Sequence, residues 1–211
     1  MGSQLDREKI VKNLFNKKSS KQILLQGLKE LIPQKGTYLE TIIIGILAII
    51  ISIAVGVSES TVIMIRDIIE LINNVMLAIF GIVFTGYALF QALVDTALLK
   101  RLMTVESNGK PFFSISNDYF VRVMIVNSLA IFINVILLIL TKIIPDYWYA
   151  FDSNLVNNSI ASILIFIYLY FELMNIWEIK SFVFNVYQLF NINAGEKMIN
   201  IMNDEENEES Q

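Results

Sequence analysis

The sequence predicts an all-α, polytopic membrane protein with four transmembrane helices, an N-terminal amphipathic helix and an extended cytoplasmic C-terminal helix. Of its 211 residues, 55% are hydrophobic and only 17% are charged, whereas a soluble domain carries about a quarter charged residues. Four runs of 18, 24, 19 and 19 residues contain no charge at all: 41–58, 71–94, 123–141 and 153–171. Because a helix crosses the hydrocarbon with about 20 apolar residues, these runs exclude an ordinary soluble globule.

The basic residues predict the orientation of these spans. Eight of the sixteen Lys and Arg residues precede the first run, one lies in the first connection, four in the second, one in the third and two after the fourth run. Positive residues near the ends of spans are retained in the cytoplasm. We therefore expect a bacterial inner-membrane protein whose N-terminus, second loop and C-terminus are cytoplasmic, which requires an even number of spans.

The residue types limit the chemistry. The chain has no Cys and no His, which excludes thiolate nucleophiles, Cys-ligated zinc, imidazole metal sites and His-based triads. The sequence also has no glycine-rich phosphate cradle and no serine elbow. Carboxylates alone could still coordinate a hard cation or act as acid and base, but with no motif for either we expect a protein that is not an enzyme, with no catalytic residue, cofactor or metal site.

Residues 1–37 form the first predicted segment, a basic amphipathic one at the cytoplasmic surface. Ser19 and Gln22 have the spacing of a helix capping box. A lysine-rich polar side suits an anionic membrane surface, either for specific recognition or simply to anchor the first span. Direct nucleic-acid binding is not expected, because no feature of the segment reads bases.

The transmembrane domain covers residues 38–172, and its first two spans are predicted at about 38–57 and 71–94, with 62–72 as an amphipathic lead-in on the outside. Both spans carry small residues at helical spacing, which favour close helix packing in lipid. We expect the two stripes to pack on each other, or one of them to form a subunit contact. The stripes consist of Gly45, Ala48, Ser52 and Gly56 on the first span, and of Ala78, Gly81, Thr85, Ala88 and Ala92 on the second.

The third and fourth spans are predicted at about 121–141 and 154–172. Asn127 and Asn134 are seven residues apart and share one face of the third span. Amides inside lipid need partners, so this polar face either joins helices by hydrogen bonds or lines a pore or solute path.

Three charged residues, Asp95, Arg122 and Glu172, are predicted near the inner ends of the spans. We expect Arg122 to pair with Asp95 or with Glu172, either as ordinary interfacial ion pairing or as a latch that holds the spans closed. No ionisable residue falls near a predicted midplane, which disfavours proton-coupled transport and voltage sensing.

After the spans, residues 173–203 are predicted as a cytoplasmic amphipathic helix, for which Gly195 is a candidate stop. Residues 204–211 form an acidic tail that we expect to be solvated and disordered. The small-residue stripes and aromatic surfaces exceed what one thin bundle buries, so we also expect a homo-oligomer.

This plan resembles the small four-span membrane subunits of bacterial anti-phage systems such as the membrane component of the Kiwa system. The resemblance covers the lysine-rich flank at 12–21, the four runs, the inner helix after Glu172 and the acidic tail. It implies a protein that senses membrane disturbance or permeabilises the membrane together with a cytosolic partner, and it assigns no functional residue. We expect a sensor or scaffold in the lipid bilayer that engages such a partner through residues 1–37 and 173–211. The alternatives are a pore subunit lined by Asn127 and Asn134, or a small-solute transporter.

Overall fold

The computed structural model describes residues 19–32, 36, 38–107 and 109–209, and within these the fold is all-α. Its seven helices are α1 (Ser20–Glu30), α2 (Tyr38–Gly56), α3 (Thr61–Leu93), α4 (Thr96–Thr104), α5 (Phe112–Ile143), α6 (Asn154–Trp177) and α7 (Ile179–Glu209). A two-residue ladder pairs β1 (Glu106–Ser107) with β2 (Lys110–Pro111) between α4 and α5. The expectations for 1–18, 33–35, 37 and 210–211 lie outside the described residues.

Four helices in the described part of the chain are long and apolar enough to cross a membrane, which confirms the predicted fold class. They are α2, α3, α5 and the nearly continuous helix of α6 and α7, Asn154–Asn203. Large apolar side chains point outward along all four, for example Ile50 on α2, Phe84 on α3, Phe132 on α5 and Leu164 on α6. Such an apolar exterior is stable in lipid rather than in water.

The four spans pack as two antiparallel pairs. Helix α2 contacts mainly α6, and α3 contacts mainly α5, so the prediction that the first two spans pack on each other is wrong. A Cβ built on Gly56 would stand 2.9 Å from the Ser162 backbone. The small residues of α2 therefore allow α6 to approach it closely. The larger residues Ile69, Met76 and Val83 form the buried face of α3.

Both described ends of the chain lie at one end of the bundle, which we call the terminal face. Gly27 of α1 packs there against Val126 of α5. Glu40, at the start of α2, accepts hydrogen bonds from Trp177 Nε1 at 2.8 Å and from Lys180 Nζ at 2.5 Å. The opposite end, which we call the loop face, carries the 57–60 and 144–153 connections.

At the terminal face, helices α3, α4, α5 and α7 pack on one another past the level at which α2 begins. Phe120 of α5, which is fully buried, stacks on Phe90 of α3 at 5.2 Å and meets the edge of Phe182 of α7 at 5.6 Å. Gly86 of α3 leaves room for the Phe182 ring, since a Cβ there would lie 3.2 Å from its Cε1. Leu98 of α4 is buried in the same aromatic layer.

Several element ends differ from the predictions. Helix α3 begins at Thr61, whose hydroxyl donates to the Val55 carbonyl at 2.9 Å, so the helical lead-in predicted at 62–72 is continuous with the second span. Helix α7 passes through Gly195 and ends at Glu209, so the predicted stop and the disordered tail over 204–209 are wrong. A single glycine costs a helix only about 1 kcal/mol, too little to end it.

Candidate functional site

The predicted cluster of Asp95, Arg122 and Glu172 does not form. The Asp95 carboxylate caps α4 by accepting a hydrogen bond from Leu98 N at 2.8 Å. Arg122 pairs instead with Glu30 of α1 at 3.0 Å. The expected pairing of Arg122 is therefore wrong, because α1 folds back onto α5 and supplies a carboxylate that is distant in sequence.

Glu172 is buried completely between the helices, with 0% of its surface exposed. The Asn134 side chain, also 0% exposed, faces it from α5. The amide lies close enough to interact with the carboxyl, yet no hydrogen bond of ordinary geometry reaches either Glu172 oxygen or Asn134 Nδ2. Asn134 Oδ1 accepts a hydrogen bond from Tyr168 OH at 2.9 Å. The structure thus joins Tyr168, Asn134 and Glu172 in one polar cluster, which we call the inner polar site.

Helix contacts place the inner polar site inside the span. Tyr170 of α6 lies 3.9 Å from where a Cβ on Gly45 would stand, and Gly45 is close to the middle of α2. Trp177 is level with Glu40 near the start of α2, and Glu172 is five residues deeper, about 7.5 Å along the helix. On a span of ~30 Å, Glu172 therefore lies about a quarter of the way in from the terminal end, deeper than the span end where it was predicted. The expectation that no ionisable residue lies near the midplane stays a prediction.

Asn127 and Asn134 both point into the bundle, with 1% and 0% of their surfaces exposed. Asn127 Nδ2 donates to the carbonyl of Val123 in its own helix at 2.9 Å, while its Oδ1 has no partner. The Asn134–Tyr168 bond does link two helices. The two amides thus share one face of α5. Of the two hydrogen bonds described here, the one at Asn134 joins α5 to α6, and the one at Asn127 stays within α5.

A polar pocket lies at the terminal face. It has a volume of ≈ 330 Å³, and its charged lining residues are Glu30, Glu40, Arg122, Glu178 and Lys180. A neighbouring pocket of ≈ 20 Å³ shares three of these residues and extends to Asn175.

Asn175 connects this pocket to the inner polar site. It lies on α6 three residues after Glu172, a spacing at which two side chains share a helix face. Only 3% of Asn175 is exposed, and its Nδ2 has no hydrogen-bond partner. The smaller pocket has room for about one water molecule beside that amide. Polar groups therefore follow one another from the terminal face to Glu172.

The two small-residue stripes have different surroundings. On α2, Ala48, Ser52 and Gly56 are buried against the rest of the protomer, and Gly45 is partly buried. The stripe on α3 is exposed along its whole length and faces away from α5; it consists of Ala78, Gly81, Thr85, Ala88 and Ala92. The first stripe is thus used inside the protomer, and the second is left on its surface.

Comparisons with protein-family models, with curated protein sequences and with solved structures find no match. The site therefore rests on the geometry of this chain. Sequence reasoning missed Tyr168 and Asn175 as members of this polar face. Their spacing from Glu172, four residues before and three after, places all three on one side of a helix and could have revealed it.

Proposed function

We propose that the protein is a non-enzymatic, homo-oligomeric scaffold or sensor of the bacterial inner membrane, which engages a cytosolic partner through the free end of α7. The observation that carries this proposal is the exposure of that end. From Lys197 onward, every residue of α7 whose side chain is described is exposed, including the apolar Met198, Ile199, Ile201 and Met202.

Two features of the free end of α7 favour a partner. Its described side chains are all exposed, whereas helices in proteins owe most of their stability to packing, and its apolar Met198, Ile201 and Met202 recur at spacings of three and one. Acidic residues follow them: Asp204, Glu205, Glu206, Glu208 and Glu209. An apolar groove with a basic rim on a soluble protein would complement both features.

The exposed stripe on α3 supports self-association. Small residues let two helix backbones approach closely in lipid, where packing rather than hydrophobicity drives association. Because a two-fold axis brings the same patch of two subunits together, a second copy of α3 is the occupant that we propose for this stripe.

The partner proposal is tested by purifying the tagged full-length protein from its own host and identifying the soluble protein that co-purifies in fixed stoichiometry. The triple variant Met198→Gln, Ile201→Gln and Met202→Gln is expected to lose it. The control Asn200→Gln with Asn203→Gln changes neighbouring exposed positions and is expected to retain it. A partner held equally by the triple variant, or no stoichiometric partner for the unmodified protein, contradicts the proposal.

The resemblance to Kiwa-type membrane subunits supports anti-phage defence as the setting of this scaffold. The neighbouring genes offer a direct check. A nuclease or nucleic-acid-binding protein encoded next to this gene favours defence, whereas a metabolic operon favours solute transport.

A pore subunit is the second candidate function, and the inward-facing Asn127, Asn134 and Glu172 favour it. In liposomes, a pore lined by these residues would conduct ions, and Asn127→Leu would abolish the flux. The pore function is ruled out if the unmodified protein gives no ion flux, or if Asn127→Leu leaves the flux unchanged.

A further inference from the structure

We propose that the inner polar site binds a single monovalent cation, a proton or an alkali-metal ion, on the Glu172 carboxyl inside the membrane, and that this cation enters from the terminal face. This inference is independent of the partner at α7. It follows from where Glu172 lies, what surrounds it and how it is reached.

Among the described residues, no ion pair compensates the burial of the Glu172 carboxyl. A carboxylate removed from water without a counter-charge is strongly destabilised, and Glu172 is fully buried with no hydrogen bond of ordinary geometry to either oxygen. The two basic residues that line the terminal pocket are already engaged, since Arg122 pairs with Glu30 and Lys180 with Glu40. A bound cation would neutralise the buried negative charge of Glu172, which these basic residues do not pair with.

The polar groups of the inner polar site that surround the Glu172 carboxyl are Asn134 and Tyr168. Asn134 faces it from α5, and the titratable group that interacts with it from its own helix is Tyr168. Neither of these residues carries a positive charge. The cluster contains the oxygen atoms that hard cations prefer: the carboxyl itself, and beside it the Asn134 carbonyl oxygen and the Tyr168 hydroxyl, which are hydrogen-bonded to each other. With one carboxylate in the cluster, a monovalent cation leaves the site neutral.

The polar pocket at the terminal face gives access to the site. Its lining contains three glutamates, Glu30, Glu40 and Glu178, and two basic residues that pair with the first two. Glu178 therefore gives this lining a net negative charge, which favours cations. The smaller pocket beside it ends at the unpartnered amide of Asn175, three residues from Glu172 on the same helix face. A proton or a small ion therefore needs to pass one turn of α6 between the water-accessible pocket and the carboxyl.

The test is labelling of the full-length protein in liposomes with dicyclohexylcarbodiimide, which adds covalently to protonated carboxyls in apolar surroundings, followed by peptide mass spectrometry. We expect an adduct on Glu172, and none at this position in Glu172→Gln. If the ligand is a proton, the labelling rate falls about tenfold for each pH unit above the midpoint of the Glu172 titration, because only the protonated acid reacts. If it is an alkali ion, sodium chloride protects Glu172 and choline chloride at equal ionic strength does not.

A matched pair of variants tests the rest of the site. Asn134→Leu removes the facing amide and is expected to shift the pH midpoint or abolish sodium protection. Phe132→Leu, at an exposed position of the same helix, is expected to change neither. The proposal is overturned if Glu172 never reacts, or if it reacts equally at every pH both with and without sodium.

Discussion

Two glycines of the α2 stripe show how much of the packing between α2 and α6 depends on single atoms. A Cβ on Gly56 would lie 2.9 Å from both Cα and N of Ser162, whereas a Cβ on Gly45 would meet only the edge of the Tyr170 ring at 3.9 Å. The first contact is with backbone, which cannot rotate away, and the second is an ordinary van der Waals distance.

We therefore predict opposite results for the same substitution at these glycines. Gly56→Ala should destabilise the protein by about 1–3 kcal/mol, because overpacking forces α2 and α6 apart. Gly45→Ala should be neutral or stabilising by up to about 1 kcal/mol, because alanine favours the helix. Thermal unfolding in mild detergent measures both, and a Gly56→Ala protein as stable as Gly45→Ala would show that the close approach of the helices is not required.

At the scale of single residues, local patterns were predictable from sequence and long-range partners were not. The capping box of Ser19 and Gln22 is confirmed, with bonds of 2.9 and 3.3 Å between neighbours in sequence. The partner of Arg122 is Glu30, 92 positions away, and depends on where α1 docks. The depth of Glu172 likewise depends on the register between α6 and α2, which apolar composition does not specify.

At the scale of elements, α7 has two distinct faces beyond the membrane-spanning part of the bundle. Phe182 is 2% exposed and packs in the aromatic layer with Phe120, whereas Phe184, two residues later, is 57% exposed. The aromatic layer is therefore the contact that holds the first turns of α7 against α3 and α5.

This arrangement predicts different costs for two identical truncations. Phe182→Ala should lower stability by about 3–5 kcal/mol, because it removes a buried ring and leaves a cavity. Phe184→Ala should change it by less than about 0.5 kcal/mol, as surface substitutions usually do. The comparison uses thermal unfolding of the purified protein in detergent. Equal losses for the two variants would mean that α7 does not dock through Phe182.

The positions of the spans were predictable because uncharged runs of about 20 residues have a physical cause, the hydrocarbon thickness. Their ends were less predictable. Helix α3 begins about ten residues before the uncharged run, because Ile69 packs into the core even though Arg66, Asp67 and Glu70 are charged. Helix pairing was also not predictable, since a small-residue stripe indicates a close contact without naming the partner helix.

At the scale of the whole molecule, the exposed stripe on α3 predicts an oligomer that bulky substitutions disrupt. Gly81→Leu with Ala88→Leu should lower the mass measured by mass photometry in nanodiscs to that of the monomer. A Cβ on Gly81 meets no atom within 4 Å, so the protomer itself should remain folded. Gly81→Ala with Ala88→Ser keeps the surface small and should preserve the oligomer; an unmodified protein that is monomeric would refute this part of the account.

The central claim is that the chain crosses the membrane four times with both ends in the cytoplasm. Because the chain has no Cys, one introduced cysteine is a unique reporter for a maleimide that cannot cross membranes. In cells whose outer barrier is permeabilised, Glu59→Cys and Asp152→Cys on the loop face should react at once. Lys110→Cys and Asn203→Cys on the terminal face should react only after the inner membrane is opened. Reaction of Lys110→Cys or Asn203→Cys in sealed cells would contradict the account.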